Sequence, residues 1–247
     1  MTHQQIASGS IPDGPSNCFP FQGHPGHLAE ASPETGNQLV TRHVRQLVNA
    51  GAYAASIGSP FTAHVTLHLR LAECFSPETW AAYQTDLLEK MSRWLTRNGI
   101  SVAFAWVREN GPVKGEHLHL LLHLPQPMWG AFKRFMLKAG GFTPADASGE
   151  AIRISGGRFG MYAETMRAGA ARYILKSLSP TTCNALGIRH KPTLPVPVKR
   201  CGASDTIGPK ARKAAGWVEL RSLPELHAHL NPAAANDNHA EESSDAA

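Results

Sequence analysis

Residues 115–124 read GEHLHLLLHL, and no other stretch limits the fold as strongly. Histidine and leucine alternate there, and alternation is the signature of a β-strand, whose successive side chains point to opposite faces. His117, His119, Leu121 and His123 therefore share one face. Leu118, Leu120, Leu122 and Leu124 share the other and require a core. Two imidazoles at i and i+2 can point at one ion. The arrangement reads either as a half-exposed strand with polar histidines outside or as a chelating pair, since neutral imidazole is a common ligand for transition metals. Glu109 ends the preceding strand-like run, within side-chain reach across a short hairpin. Two histidines and one carboxylate with open positions suit Mn²⁺ or Mg²⁺. Glu116 adjoins His117, points to the opposite face and is the weaker candidate.

The flanking sequence supplies the rest of a domain. FTAHVTLHL, 61–69, reads as a strand with Val65, Leu67 and Leu69 on one side and His64, Thr66 and His68 on the other. Residues 102–109 and 116–124 form a hairpin across Asn110–Gly115, where Gly and Pro favour a turn. Helices are expected over 38–51, over 76–98 with Ser76 as cap and Pro77 at its first position, over 127–139 and over 161–178. A further strand is expected over 150–156. This order predicts an α+β domain, with helices flanking an antiparallel sheet.

The charge is unevenly spread. All 24 Lys and Arg lie between residues 37 and 230, against 12 acids, so this body carries +12 while the chain as a whole carries +5. A basic body with acidic ends suits a polyanionic partner, most often nucleic acid, although charge alone specifies partners loosely. Residues 1–37 and 231–247 read as disordered segments, 38–180 as the main domain and 181–230 as a basic C-terminal extension. Nothing approaches eighteen consecutive apolar residues, which excludes a membrane-spanning helix as a reading, and MTHQQIASGS lacks the pattern of a secretory signal. The four cysteines are widely spaced, which fits reduced thiols in the cytoplasm.

Arg172-Tyr173-Ile174-Leu175-Lys176 falls on the last expected helix. Tyr173 and Lys176 are three apart and share a face, with Ile174 and Leu178 anchoring the buried side. A phenol has a pKa of about 10 and needs help to act as a nucleophile. Taken in order, FTAHVTLHL, EHLHLLLH with its upstream Glu, and RYILK resemble the Rep class of HUH endonucleases, the rolling-circle replication initiators and their transposase relatives. Relaxases place the tyrosine before the histidines, the reverse of this order. The resemblance covers about residues 61–178.

That resemblance implies a site and a reaction. Glu109, His117 and His119 would hold Mn²⁺ or Mg²⁺. Tyr173 would attack the scissile phosphate, leaving a 5′-phosphotyrosine and a free 3′-hydroxyl, with Lys176 holding the phosphate. The substrate would be single-stranded DNA or an origin hairpin. No P-loop motif occurs, so a helicase and a polymerase would be separate partners from host or element. Arg172, Lys199, Arg200, Lys210, Arg212 and Lys213 are candidate nucleic-acid contacts, since such residues bind phosphates in a salt-sensitive manner. Tyr162 is either a second tyrosine or packing, with packing favoured; His68 and His123 are either additional site residues or neutral surface groups; and Trp217 either stacks on a base or, as favoured here, packs in the core.

Other classes remain to be weighed. An RRM-like binding module would share the sheet and lack metal dependence. His64-Val65-Thr66 fits one H-x-[ST] element of the two-histidine phosphoesterases, but His117-Leu118-His119 does not supply the second. No H-E-x-x-H occurs, so a zinc protease is not supported.

Overall fold

The computed structural model describes residues 39–143, 151–156 and 174–231. Five strands form one antiparallel sheet: β1 (Ala63–His68), β2 (Phe104–Gly111), β3 (Gly115–Leu122), β4 (Ile152–Ser155) and β5 (Cys201–Ala203), in the order β4-β1-β3-β2-β5. Six helices are described: α1 (Thr41–Ser56), α2 (Trp80–Arg97), α3 (Trp129–Ala139), α4 (Pro180–Ala185), α5 (Pro209–Ala214) and α6 (Leu223–Leu230). The fold is α+β, as the order of elements predicts. No described helix is long and apolar enough to cross a membrane.

The sheet is covered on both faces. Leu118, Leu120 and Leu122 join Val65, Leu67, Phe104 and Trp106 against the apolar sides of α2 and α3. On the other face Ala105, Val107, Leu121 and Cys201 pack against α1, Ile174, Leu175, Leu178, α4 and α6. β3 is the central strand and every one of its residues is buried. A half-exposed strand is therefore excluded for the histidines. The second layer arises from parts of the chain far from β3 in sequence, which alternation alone cannot reveal.

Several element ends differ from expectation for local reasons. α1 continues five residues past Gly51. That glycine marks a close approach rather than a stop: a Cβ there would lie 3.2 Å from the Phe61 ring. Ser76 does not cap α2. Its hydroxyl accepts from the Thr79 N–H within a preceding turn, and the helix begins at Trp80. At the other end Gly99 takes φ +68° and the Asn98 side chain donates to the Trp94 carbonyl at 2.8 Å, ending the helix as expected. A 3₁₀ turn over Gln126–Met128 precedes α3. The hairpin between β2 and β3 closes on Gly111 and Gly115, and Gly115 has the left-handed φ of +69° that favours glycine.

The segment 181–230, read from the sequence as an extension, is built into the same body. Cys201–Ala203 adds the edge strand beside β2. Asn49, fully buried on α1, ties residues 217–220 down: its amide donates to the Leu220 carbonyl at 3.0 Å and its oxygen accepts from the Leu220 N–H at 2.8 Å. Trp217 donates to the same oxygen and meets Tyr53 edge to face at 5.5 Å, so it packs rather than waiting for a base. The expected helix over 161–178 lies outside the described residues up to 173. Of its described end only Ile174 is helical: residues 175–177 form a turn and Leu178 bridges to Leu39, so the helix does not run to 178, although Ile174 and Leu178 are both buried.

Candidate active site

The register of three strands builds the site. Glu109 on β2 lies directly opposite His117 on β3, and Thr66 and His68 on β1 lie opposite His119 and His117. All five side chains belong to the face covered by α1 and the 174–178 segment. Lys176 reaches in from that segment. Its Nζ lies 2.8 Å from Glu109 Oε2, and His119 Nε2 lies 3.0 Å from the same oxygen. Glu109, His119 and Lys176 are each under a tenth exposed.

Donor and acceptor roles follow from the partners. Burial works against charge on Glu109, but the His119 hydrogen bond and the Lys176 ammonium outweigh it and hold the carboxyl below its usual range. The carboxylate thus accepts from both Lys176 and His119 Nε2–H. On its other side His119 Nδ1 meets Thr66 Oγ1 at 3.1 Å and His64 Nε2 at 3.3 Å. His117 Nδ1 faces the Gly115 carbonyl at 2.5 Å, which can only accept, so the neutral ring carries its hydrogen there and its lone pair on Nε2. His68 packs edge-on to His117, with ring centroids 4.4 Å apart.

Burial pushes the histidines toward the neutral form. His117 falls from 6.5 to about 4, through burial and then the neighbouring His68 and His119. His64 falls to about 3, through burial, His119, Lys176 and Arg153. His119 is lowered by burial, although Glu109 opposes this, and Lys176 and Lys191 add to the lowering. Three basic side chains, Lys176, Lys191 and Arg153, thus act on the histidines.

A divalent ion can be tested against these donors. Glu109 Oε2 and His119 Nε2 are 3.0 Å apart. Two ligands each about 2.1 Å from one octahedral ion and at right angles would be separated by about the same distance. His117 has the fixed tautomer typical of a ligating imidazole, with its second nitrogen hydrogen-bonded to a carbonyl. Among the described residues no group of three His, Cys, Asp or Glu is placed to hold a metal ion. The donor types suit such an ion, and Glu109 and His119 stand at ligand spacing with the His117 ring stacked on His119 at 6.0 Å, while the Lys176 ammonium lies 2.8 Å from the same Glu109 oxygen.

Other expected residues fall into four groups. Tyr173, Arg172 and Tyr162 lie outside the described residues. Lys199, Lys210 and Lys213 are exposed. Arg200 and Arg212 correct the sequence reading: both are 1% exposed. Arg200 donates to Ser177 Oγ at 3.1 Å, and Arg212 pairs with Glu219 at 2.9 Å and donates to the Ile207 carbonyl at 2.8 Å. Both are internal fasteners. His123 holds the Pro60 carbonyl at 2.9 Å at the far end of β3, and Glu116 pairs with Arg70. Arg108, next to Glu109 but on the opposite face, is held by Gln84, the Lys199 carbonyl and the rings of Trp80 and Trp106.

Sequence reasoning missed Thr66 as a partner of His119 and treated His64 only as half of another motif. Their alternation with Val65 and Leu67 was visible, but the register that sets them against His119 was not. Comparison of the chain with protein-family models, with curated proteins and with solved structures found no match.

Proposed function

We propose that this protein nicks and rejoins single-stranded DNA through a tyrosine, initiating rolling-circle replication of a plasmid, phage or related mobile element. The observation that carries this reading is the meeting of Glu109, His119 and Lys176 at one carboxylate oxygen, at 3.0 and 2.8 Å, beside His117. Residues from two strands and from the segment that follows Tyr173 in sequence converge there, in the order the Rep-class resemblance implies.

Glu109, His117 and His119 would hold Mn²⁺ or Mg²⁺, which when bound supplies charge stabilisation at a phosphate oxygen. The Tyr173 oxygen would form the new bond to phosphorus as the bond to the 3′-oxygen breaks. The leaving oxygen takes a proton and the 5′ end stays on the tyrosine. Lys176 would neutralise developing charge on the phosphate. Exposed Lys199, Lys210 and Lys213 are the surface residues proposed to contact the strand. An origin hairpin is the proposed substrate form, a helicase and a polymerase the proposed partners, and the cytoplasm the proposed location. The described cysteines are free thiols, which fits that compartment.

A second reading has its own support. Lys176 and His119 already satisfy Glu109, so the cluster can stand as a polar core without metal. That favours an RRM-like nucleic-acid-binding module with no cleavage. One experiment separates the two. Labelled single-stranded DNA from around the gene is incubated with the protein and Mn²⁺, in parallel with EDTA and with Tyr173→Phe. A denaturant-resistant adduct that needs both metal and Tyr173 is expected. Binding without cutting or attachment would favour the module.

A further inference from the structure

If Glu109 and His119 share an ion, His119 Nε2 must present its lone pair, and the ring hydrogen must sit on Nδ1. Nδ1 then needs an acceptor in a buried place, because an unmet N–H there is costly. Thr66 Oγ1 stands 3.1 Å away, held by the direct pairing of Thr66 with His119 across β1 and β3.

A hydroxyl can donate or accept, and which it does depends on a rotation of its hydrogen. While Nε2–H donates to Glu109, the Thr66 O–H donates to Nδ1. When Nε2 ligates an ion, the same oxygen accepts from Nδ1–H. At the Thr66–His119 contact itself the exchange needs only that rotation. A valine side chain has nearly the same shape and could do neither. His64 Nε2, at 3.3 Å from the same nitrogen, is the more distant partner.

We propose that Thr66 is a positioning residue that holds the His119 ring in a ligating orientation and accepts its Nδ1–H when a divalent ion is bound. The inference rests on the metal reading given above. It asks for nothing from Tyr173 or from DNA, so it can be measured on the protein alone. Hydrogen-bond partners of ligating histidines typically change metal affinity by about 10- to 100-fold when removed.

The test uses the full chain and Mn²⁺ alone, titrated calorimetrically into wild type, Thr66→Val and Thr66→Ser. Thr66→Val is expected to weaken Mn²⁺ binding about tenfold or more, whereas Thr66→Ser keeps affinity close to wild type. Circular dichroism melts check that both variants fold. Histidine nitrogen spectra of the wild type give an independent readout, with the His119 hydrogen moving from Nε2 to Nδ1 on saturation with diamagnetic Mg²⁺. Thr66→Val binding Mn²⁺ as tightly as wild type would overturn the proposal and leave the metal reading intact. So would an Nε2–H that persists in the Mg²⁺ form. A wild type that binds neither ion would overturn the metal reading, and this inference with it.

Discussion

The oxygen Glu109 Oε2 is where charge, burial and chemistry meet. A buried carboxylate is tolerated because Lys176 and His119 donate to it, and removing one partner of such a pair costs far more than the pair is worth in net stability. Lys176→Met should therefore destabilise the fold by about 3 kcal/mol in urea unfolding, while Glu109→Gln with Lys176→Met should recover part of that loss. A double variant whose loss equals the sum of the losses of Lys176→Met and Glu109→Gln alone would show that the two side chains are not coupled. The histidines make a separate pH prediction. His64 and His117 lie at about 3 and about 4 in the folded chain, below the ordinary 6.5. As pH falls, the unfolded chain takes up these protons first, so stability is complete above about 6.5 and declines toward pH 4. Each group adds about 1.4 kcal/mol per pH unit within its window. Glu109, lowered in its turn, has the same sign at still lower pH. Midpoints of urea unfolding should stay level from about pH 7.5 to about 6.5 and fall from there to about 4.5, and a profile flat to about 4.5 would contradict buried neutral histidines.

At the scale of elements, close approaches decide where strands and helices can sit. β5 is only three residues long, and it lies against β2 with Gly202 opposite Trp106. A Cβ at Gly202 would come within 2.7 Å of the Trp106 ring, whose neighbours Arg108 and Lys199 stack on it. Gly202→Ala should thus push the edge strand away and cost about 1–3 kcal/mol, read as a lower thermal midpoint and faster hydrogen exchange in 201–203. Unchanged exchange there would mean that the ring gives way instead. The strands and the long helices were legible because their periodicities are strong: Val65 and Leu67 face one core, and Trp80, Leu87, Met91 and Leu95 line one side of α2. What was not legible depends on distant partners. Gly51 looks like a helix stop until Phe61 is placed beside it. Gln84, one more polar residue on α2 by sequence, is buried because it receives Arg108. Glu109 and the two histidines could be put on one face from alternation alone, but the approach of Lys176 and the pairing of Thr66 with His119 required the register and the return of residues 174–178.

For the molecule as a whole, the basic residues divide into fasteners and free charge, and the sequence cannot separate them. Arg212 and Lys213 are neighbours in one short helix, yet Arg212 is buried against Glu219 and the Ile207 carbonyl while Lys213 is exposed. The tie between Asn49 and Leu220 fixes the segment that follows that helix, so the chain around Lys210 and Lys213 is held on the same body as the site. The two kinds of residue should therefore fail differently. Each exposed lysine that contacts a phosphate contributes about 0.7 to the slope of log affinity against log salt on single-stranded DNA. Lys199→Ala, Lys210→Ala and Lys213→Ala combined should flatten that slope by up to about 2 and leave the unfolding midpoint nearly unchanged. Arg212→Ala should do the reverse, lowering the midpoint because Glu219 and a buried carbonyl lose their donor, with no specific loss of salt dependence. Fluorescence anisotropy of labelled oligonucleotide across a salt series, alongside urea titrations of the same two variants, decides the matter. A triple lysine variant with an unchanged slope would rule these lysines out as the proposed DNA contacts, and an Arg212→Ala variant that kept its stability but lost the slope would make Arg212 a contact after all.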